Sequence, residues 1–421
     1  MFSNLVNIEE YNFNVIVIFK AGYCYSSRIY SVIEINFFYI LYIQSCISNI
    51  YFCYLCRITD YMLNVTKTYL PPLDEYTKYL EGIWSSAKLT NYGPLVQKLE
   101  ADLKSYLGVK HLFFVNNGTL ALQIAIKALG LSKKIITTPF SYVATTSSIV
   151  WEGCEPIFAD IEKDTLSLDP SLIEDLITPD TEAILATHVY GIPCDVERIQ
   201  AIADKHNLKV IYDAAHAFGV KFKDSSILNY GDVSTISFHA TKLFHTGEGG
   251  AIVTDNDEIA YKISYMMNFG HDGPEKFVGI GINGKNSEIH AALGLCILPK
   301  VGELMDLRKS IHKIYDDHLA GNGIIRPYIG DNVTYNFAYY PVILPSEQLL
   351  LKVIKALNQE DIFPRRYFYP SLADLNYVQY EGNLPVTDDV CARILCLPLF
   401  HDLSEDNVIN ICSIIEKCIK Q

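Results

Sequence analysis

The chain has 421 residues, half of them apolar, so it is long enough for two domains of ordinary size and excludes a single small core. Its formal net charge of −14 argues against non-specific binding to DNA or RNA, because nucleic-acid phosphates would be repelled over most of the surface. Eleven cysteines without a repeating spacing indicate reduced, intracellular thiols. Cys53 and Cys56 form the one Cys-x-x-Cys pair, and no second pair accompanies them, so we expect no metal site.

Residues 1–61 differ in composition from the rest of the chain and are rich in Ile, Tyr, Phe, Asn and Cys. The window 35–56 has no charged residue and is long enough to cross a bilayer, but it contains several amide and hydroxyl side chains. These residues contain no basic segment followed by a small-residue cleavage site, so we expect no signal peptide. We favour the interpretation that translation begins near Met62. A membrane anchor over 35–56 and an extension of unknown role are the alternatives.

After Met62, short apolar runs alternate with longer amphipathic ones. The helical patterns at 118–129 and 196–206 lie between runs that are typical of strands. This alternation predicts an α/β fold with a mainly parallel sheet that helices cover on both faces. The predicted strands are residues 112–115, 135–137, 156–158, 183–186, 210–212, 235–237 and 251–253.

The last third of the chain has a different pattern. A long helical stretch over 285–319 leads to a strand over 339–344 and to helices over 347–359 and 404–420. This order is typical of a smaller α+β domain. We therefore predict a large domain over residues 62–300 and a small C-terminal domain over 301–421, preceded by the atypical segment 1–61.

Two polar side chains stand out beside the predicted strands. Lys242 lies in the segment 237–250 among small residues, hydroxyls and glycines, and a lysine held there would be partly desolvated. Asp213 directly follows an apolar strand, at the sheet edge where open α/β folds bind ligands. A pyridoxal phosphate enzyme needs an amine to hold the aldehyde as a Schiff base and an acid to keep the pyridine nitrogen protonated. A helix N-cap is the alternative role for Asp213.

The segments Ser237-Phe-His-Ala-Thr-Lys and Asp213-Ala-Ala-His resemble those of the DegT/DnrJ/EryC1/StrS sugar aminotransferases, and the resemblance extends over residues 62–421. It implies the pyridoxal-phosphate-dependent transferase fold of type I, with a seven-stranded, mainly parallel sheet in the large domain. It also implies that Lys242 is the Schiff-base lysine and that Asp213 is the partner of the pyridine nitrogen.

The resemblance implies further cofactor contacts. His216 would lie beside the phenolic oxygen of the cofactor, with a structural histidine as the alternative. Gly118 and Thr119 open a predicted helix, so their N–H groups and the threonine hydroxyl would bind the phosphate. Ser237 resembles the second phosphate ligand of the family.

Two contacts depend on register and assembly. Tyr142, in Pro139-Phe-Ser-Tyr-Val-Ala-Thr, resembles the aromatic residue that stacks on the cofactor ring, and Phe140 is the competing candidate. Asn283 matches an asparagine that reaches the phosphate from the neighbouring subunit, which implies a homodimer with shared active sites.

Three segments, 188–191, 339–340 and 365–370, match regions that line the sugar-nucleotide cleft of the family, and Glu248 would help to orient the sugar or the lysine. Paired arginines suit a diphosphate through their fork geometry, with a solvent-facing helix end as the alternative. The family usually has arginine where Lys285 stands, which weakens a bidentate contact there. The candidate substrate residues are His188, Tyr190, Glu248, Lys285, Arg365 and Arg366.

The resemblance implies a cytoplasmic aminotransferase that moves an amino group from L-glutamate to a nucleotide-linked 4-keto-6-deoxyhexose. Residues 135–146 and 191–195 are similar to those of family members that make dTDP-4-amino-4,6-dideoxyglucose for surface polysaccharide such as O-antigen. Amination at C3 instead of C4 stays open. A sugar dehydratase is disfavoured, because family members with that activity have histidine in place of Lys242. A non-catalytic protein of this fold is also disfavoured, because it would be expected to have lost Lys242, Asp213 or Ser237, and all three are present.

Overall fold

The computed structural model describes residues 62–420. The predictions for residues 1–61, the window 35–56 and the pair Cys53 and Cys56 lie outside this range. The strands are β1 Leu63–Asn64, β2 His111–Val115, β3 Lys134–Thr137, β4 Glu155–Phe158, β5 Thr181–Thr187, β6 Lys209–Asp213, β7 Lys221–Phe222, β8 Ser225–Ser226, β9 Val233–Ser237, β10 Gly250–Thr254, β11 Val333–Thr334, β12 Tyr340–Ile343, β13 Ile362–Phe363 and β14 Ile394–Leu397.

The α-helices of the described chain separate most of these strands. They are α1 Leu73–Ser86, α2 Pro94–Leu107, α3 Gly118–Ala128, α4 Val143–Trp151, α5 Val196–His206, α6 Asp257–Met266, α7 Glu288–Ile297, α8 Val301–Leu319, α9 Glu347–Asn358, α10 Pro385–Arg393 and α11 Glu405–Lys420.

The central sheet has seven strands in the order β2-β10-β9-β6-β5-β3-β4. Every pair of neighbours is parallel except the two that involve β10, which runs antiparallel to both β2 and β9. The predicted α/β fold and all seven predicted strands are confirmed, each strand being one to three residues longer than predicted. Short β-branched runs buried on both faces are typical of such a sheet.

The predicted helical stretch over residues 285–319 begins at Glu288 and consists of two helices joined by a turn. Helix α7 ends at Ile297, a 3₁₀ turn spans Leu298–Lys300, and α8 begins at Val301. Pro299 lies in that turn, and proline removes a backbone donor and clashes with the preceding helical turn. Lys285 therefore precedes the helix and pairs instead with Val115 in an antiparallel bridge.

Helix α8 joins two hydrophobic cores. Its first residues, Val301 and Leu304, belong to the core beneath the central sheet. Ile311 and Tyr315 belong to a second core, which α8 forms with β12, β14, α9 and α11. The described residues, 62–420, form one compact unit. The division of this unit near residue 300 stays a prediction.

Three further findings apply to the described residues alone. Seven cysteines are free and buried, and they are Cys154, Cys194, Cys296, Cys391, Cys396, Cys412 and Cys418. Within residues 62–420, no helix combines the length and the apolar character needed to cross a membrane. No group of three or more metal-binding side chains lies together in this range.

Candidate active site

A cavity of about 730 Å³ lies at one edge of the central sheet. Strands β5, β6 and β9 run parallel and end there with Thr187, Asp213 and Ser237, and all three residues line the cavity. The carboxyl ends of parallel strands are the usual ligand site of an open α/β sheet. The topology therefore brings together side chains that are far apart in the sequence.

Lys242 reaches the same cavity from the loop between β9 and β10. Its Nζ atom donates a hydrogen bond to the phenolic oxygen of Tyr339 at 3.3 Å. Burial lowers the pKa of Lys242 to about 8, and the charge of Asp213 opposes this shift. At pH 7 about a tenth of the amine is therefore unprotonated, far more than for an ordinary lysine, and the unprotonated amine is the nucleophile.

The Asp213 carboxylate is buried and accepts one hydrogen bond at each of its two oxygens. Its Oδ2 atom accepts a hydrogen bond from the Thr145 hydroxyl at 2.7 Å, and Oδ1 accepts one from the Ala215 N–H at 3.1 Å. Burial raises the pKa of Asp213, while these two bonds and the charge of Lys242 lower it. The alternative role as a helix N-cap is excluded, because turns rather than a helix follow β6.

His216 lies on the cavity wall in a defined tautomer. The Tyr190 N–H donates to His216 Nδ1 at 3.1 Å, so the ring proton of a neutral imidazole is on Nε2. Burial, and to a smaller extent the charge of Lys242, holds the pKa of His216 well below its usual range. The neutral ring thus has one N–H donor left for a ligand oxygen.

The predicted phosphate residues meet at one point of the cavity. Helix α3 begins at Gly118, and the side chain of Asn117 caps it by accepting from the Leu120 N–H at 2.8 Å. The N–H groups of Gly118 and Thr119 have no partner within the helix, because they belong to its first turn. A Cβ atom at Gly118 would lie 3.0 Å from the Cβ atom of Ser237, so the two residues are adjacent.

The two aromatic candidates have different positions. Tyr142 precedes α4, is 52% exposed and lines the cavity. Phe140 is fully buried and packs against Tyr190 and Phe368 in the core. Of these two candidates, Tyr142 is thus the one that a flat cofactor in the cavity can contact.

Two candidate substrate residues lie behind the cavity wall. His188 is fully buried, stacks on Tyr212 with 4.7 Å between ring centres, and accepts the Cys194 N–H through Nδ1 at 3.1 Å. Tyr190 is also fully buried, and its hydroxyl donates to the Tyr367 carbonyl. Neither side chain lines the cavity, because both are used in the packing beneath it.

Three more predicted site residues also lie outside the cavity, namely Arg366, Asn283 and Lys285. Arg366 donates to the Glu347 carboxylate at 2.9 Å and to two carbonyl groups, which directs its guanidinium away from the cavity. Asn283 is exposed and accepts from Lys285 Nζ at 3.0 Å. A contact of Asn283 with a neighbouring subunit stays a prediction. Of the substrate candidates, Glu248 and Arg365 line the cavity.

Sequence reasoning missed three hydroxyls near the carboxylate, those of Ser141, Thr145 and Thr187. Thr187 shares with Asp213 the one available signal, a polar side chain at the end of an apolar strand. The other two depend on how α4 packs against the sheet, which no local pattern encodes.

Comparison with known proteins identifies relatives over most of the chain. A model of the DegT/DnrJ/EryC1/StrS aminotransferase family matches residues 73–416. The dTDP-4-amino-4,6-dideoxy-D-glucose transaminase of Shigella dysenteriae is 44% identical over 350 residues, which cover 81% of this chain and 95% of that protein. The transaminase of the same description from Escherichia coli is 39% identical over 371 residues, which cover 85% of this chain and 99% of that protein.

The fold agrees with solved structures. The crystal structure of DesI in the presence of its TDP-sugar product matches with a TM-score of 0.82 and 32% identity, covering 86% of this chain and 94% of that chain. These relatives imply pyridoxal phosphate as the cofactor. The residues present fit it, since the cavity holds a buried amine, a carboxylate and an open helix N-terminus with a neighbouring hydroxyl.

Proposed function

This chain belongs to the DegT/DnrJ/EryC1/StrS aminotransferase family, and we propose that it aminates dTDP-4-dehydro-6-deoxy-D-glucose at C4 with L-glutamate as donor. One structural observation carries the chemistry. The amine of Lys242 and the carboxylate of Asp213 lie in one cavity, beside the N-terminus of α3. The choice of substrate is supported by the two dTDP-sugar transaminases that align over nearly their whole length.

Bound pyridoxal phosphate supplies an aldehyde that exchanges amino groups and a ring that accepts electrons. Asp213 would hold the protonated ring nitrogen, and Lys242 would hold the aldehyde carbon. The first-turn N–H groups of Gly118 and Thr119, with the Ser237 hydroxyl, would hold the phosphate.

Lys242 would have a second task as a carrier of protons. Its Nζ atom, whose pKa burial lowers to about 8, would accept a proton from the reacting substrate and return it within the same cavity. The neutral His216 would donate from its Nε2–H group to a ligand oxygen, and it adds no charge to the site. Because one cavity serves both half-reactions, glutamate and the nucleotide sugar enter in turn, which is a ping-pong cycle.

Arg365 and Glu248 are the charged residues that we assign to the substrate. Arg365 lines the cavity, and its guanidinium carbon lies 4.5 Å from the centre of the Tyr367 ring. The N–H groups at the edge of the guanidinium can then donate to a diphosphate. Glu248 lies near the mouth, 3.7 Å from His239 Nε2, where it can accept from sugar hydroxyls. His188, Tyr190 and Arg366 are not assigned to the substrate.

The proposal is tested by incubating the purified protein with pyridoxal phosphate, L-glutamate and dTDP-4-dehydro-6-deoxy-D-glucose and identifying the product by NMR. We expect an amino group at C4. Amination of a 3-keto isomer instead, or loss of water without amino transfer, would select the C3 or the dehydratase alternative. Lys242→Ala should abolish turnover, and the matched change Lys262→Ala on the exposed side of α6 should not.

We further propose a homodimer that shares its sites through Asn283, a cytoplasmic location and a role in surface polysaccharide such as O-antigen. The location is supported by the free state of all described cysteines. Sedimentation of the purified protein would test the dimer.

A further inference from the structure

Three buried hydroxyl groups form a chain that ends on the Asp213 carboxylate. The Thr187 and Ser141 oxygens are 3.1 Å apart, those of Ser141 and Thr145 are 2.8 Å apart, and Thr145 Oγ1 lies 2.7 Å from Asp213 Oδ2. Each of the three residues is at most 2% exposed. Thr187 and Asp213 are register partners on neighbouring parallel strands, and Thr145 lies in the first turn of α4.

Counting protons fixes the direction of every bond in the chain. An ionised carboxylate only accepts, so Thr145 must use its single proton toward Asp213. Ser141 must then donate to Thr145, and Thr187 must donate to Ser141. Each hydroxyl thus accepts from one neighbour and donates to the next, and such aligned bonds polarise one another toward the carboxylate.

The opposite direction leaves a proton without an acceptor. A protonated Asp213 would donate to Thr145, and the chain would reverse as far as Thr187. Among residues 62–420, the Thr187 hydroxyl has a hydrogen bond only with Ser141, so its proton would have no protein acceptor. A buried donor without a partner is costly. The ionised carboxylate is therefore the state in which every hydroxyl of the chain has an acceptor within the described protein.

The other groups around Asp213 are few. The Ala215 N–H bonds Oδ1, and Lys242 is the charged group that faces the carboxylate across the cavity. Burial raises the pKa of Asp213, whereas the Thr145 bond, the Ala215 bond and the charge of Lys242 lower it, in that order. Thr145 therefore contributes more than any other single partner against the effect of burial.

We propose that Thr145 is a positioning residue of the reaction, which through the chain from Thr187 and Ser141 holds Asp213 ionised and in one orientation toward the cofactor nitrogen. The part that concerns the cofactor rests on the proposed function. The part that concerns the state of Asp213 does not, because the chain consists of this protein's own residues.

Thr146 provides a matched control for a test of this role. It follows Thr145 in α4 and is fully buried, but its hydroxyl has no hydrogen-bond partner among the described residues. Thr145→Val and Thr146→Val each remove one buried hydroxyl with little change of shape. Thr145→Ser keeps the donor and should behave as the wild type does.

The first measurement uses the protein without cofactor and follows its free energy of unfolding against pH. Loss of the Thr145 donor raises the pKa of Asp213 further above its ordinary value in the folded state. The folded variant then binds a proton up to higher pH, so the stability it loses relative to wild type grows as pH rises. The difference between Thr146→Val and wild type should not vary with pH.

The second measurement is the rate of the glutamate half-reaction. Thr145→Val should be about 10-fold to 100-fold slower, as expected for the loss of a hydrogen bond to a charged group. Thr146→Val should keep the wild-type rate. A Thr145→Val protein that matches Thr146→Val in both measurements overturns the proposal.

Two further outcomes are separable. If Thr145→Val does not fold, Ser141→Ala breaks the chain one bond earlier and should cause the same pH-dependent loss, smaller in size; a Ser141→Ala profile equal to wild type overturns the proposal. If the wild type transfers no amino group, the proposed function fails, while the cofactor-free comparison still decides whether Thr145 holds Asp213 ionised.

Discussion

The Nζ atom of Lys242 lies 3.3 Å from the phenolic oxygen of Tyr339, which comes from the last third of the chain. Helix α8 fixes the backbone on either side of that tyrosine ring. Arg308 donates to the Ala338 carbonyl at 3.0 Å, and His312 Nε2 donates to the Tyr339 carbonyl at 2.9 Å. The position of the lysine is thus coupled to a helix that packs in both hydrophobic cores.

The change Tyr339→Phe should slow the glutamate half-reaction by about threefold to tenfold, because the lysine amine loses its hydrogen-bond partner. Single-turnover kinetics would measure this rate. Tyr340→Phe is the matched control, since its hydroxyl donates to Asp316 at 2.7 Å and does not face the cavity. Equal rates for both variants would mean that the contact with Lys242 has no part in the chemistry.

The neighbours Arg365 and Arg366 should give opposite results. Arg365→Ala should raise the KM for the nucleotide sugar at least about tenfold, as expected for the loss of a charge-assisted contact, with an unchanged melting temperature. Arg366→Ala should leave that KM unchanged and cost about 1–3 kcal/mol of stability, because two carbonyl groups and the Glu347 carboxylate lose their donor. A stable Arg366→Ala protein with a raised KM would contradict this assignment.

The buried Glu100 should make the free energy of unfolding depend on pH. Its carboxylate is buried and accepts from the Tyr92 hydroxyl at 2.6 Å and the Phe114 N–H at 2.8 Å, and burial raises its pKa to about 7. Because this pKa is higher in the folded than in the unfolded chain, the folded state binds more protons below it. The stabilisation is full below the unfolded pKa of about 4.3 and is lost as pH rises toward 7, on the order of 3 kcal/mol.

Glu100→Gln should remove this decline in denaturation experiments at a series of pH values, since glutamine does not titrate and keeps an acceptor for Phe114. Asp102→Asn is the control on the same helix, at an exposed side chain paired with Lys98. A decline that persists in Glu100→Gln would assign the effect to another group.

The shared site is tested by subunit exchange. If Asn283 acts across a dimer, mixing Asn283→Ala with Lys242→Ala protein places both lesions in one site of a hybrid and neither in the other, so activity should return. Ser237→Ala mixed with Lys242→Ala is the control, because both residues line the cavity of one subunit, and each hybrid site keeps one lesion. Demonstrated exchange without recovery in the first mixture would refute the role of Asn283.

The sequence alone was sufficient for the central sheet, because each strand contains a short apolar run that contrasts with the longer amphipathic runs between strands. The residue pattern pointed to Lys242 and Asp213 and the family resemblance to Ser237, and the structure brings all three to one cavity, while their roles stay predictions. The direction of a side chain was harder to predict. His188 and Arg366 belong to segments that border the cavity, but stacking on Tyr212 and pairing with Glu347 direct both side chains away from it.

The break between α7 and α8 has a local cause that sequence reasoning overlooked, namely Pro299. The contacts of Tyr339 and Thr145 have no local cause. They arise where α8 and α4 pack against the sheet, between residues 97 and 68 positions apart in the chain. Hydrogen bonds of this range follow from tertiary packing and leave no periodicity in the sequence.

Ser237 and Gly250 are register partners in the antiparallel pair of β9 and β10. The loop 238–249 therefore leaves and re-enters the sheet at a single place. A Cβ atom on Gly250 would lie 2.6 Å from the Asn117 carbonyl carbon, so the N-terminus of α3 fixes that place. For protein engineering, the loop 238–249 can therefore be replaced as a unit. Replacing it with the corresponding loop of a relative would transplant His239, Lys242 and Glu248 together while the register of every strand is retained, which offers a route to new sugar acceptors.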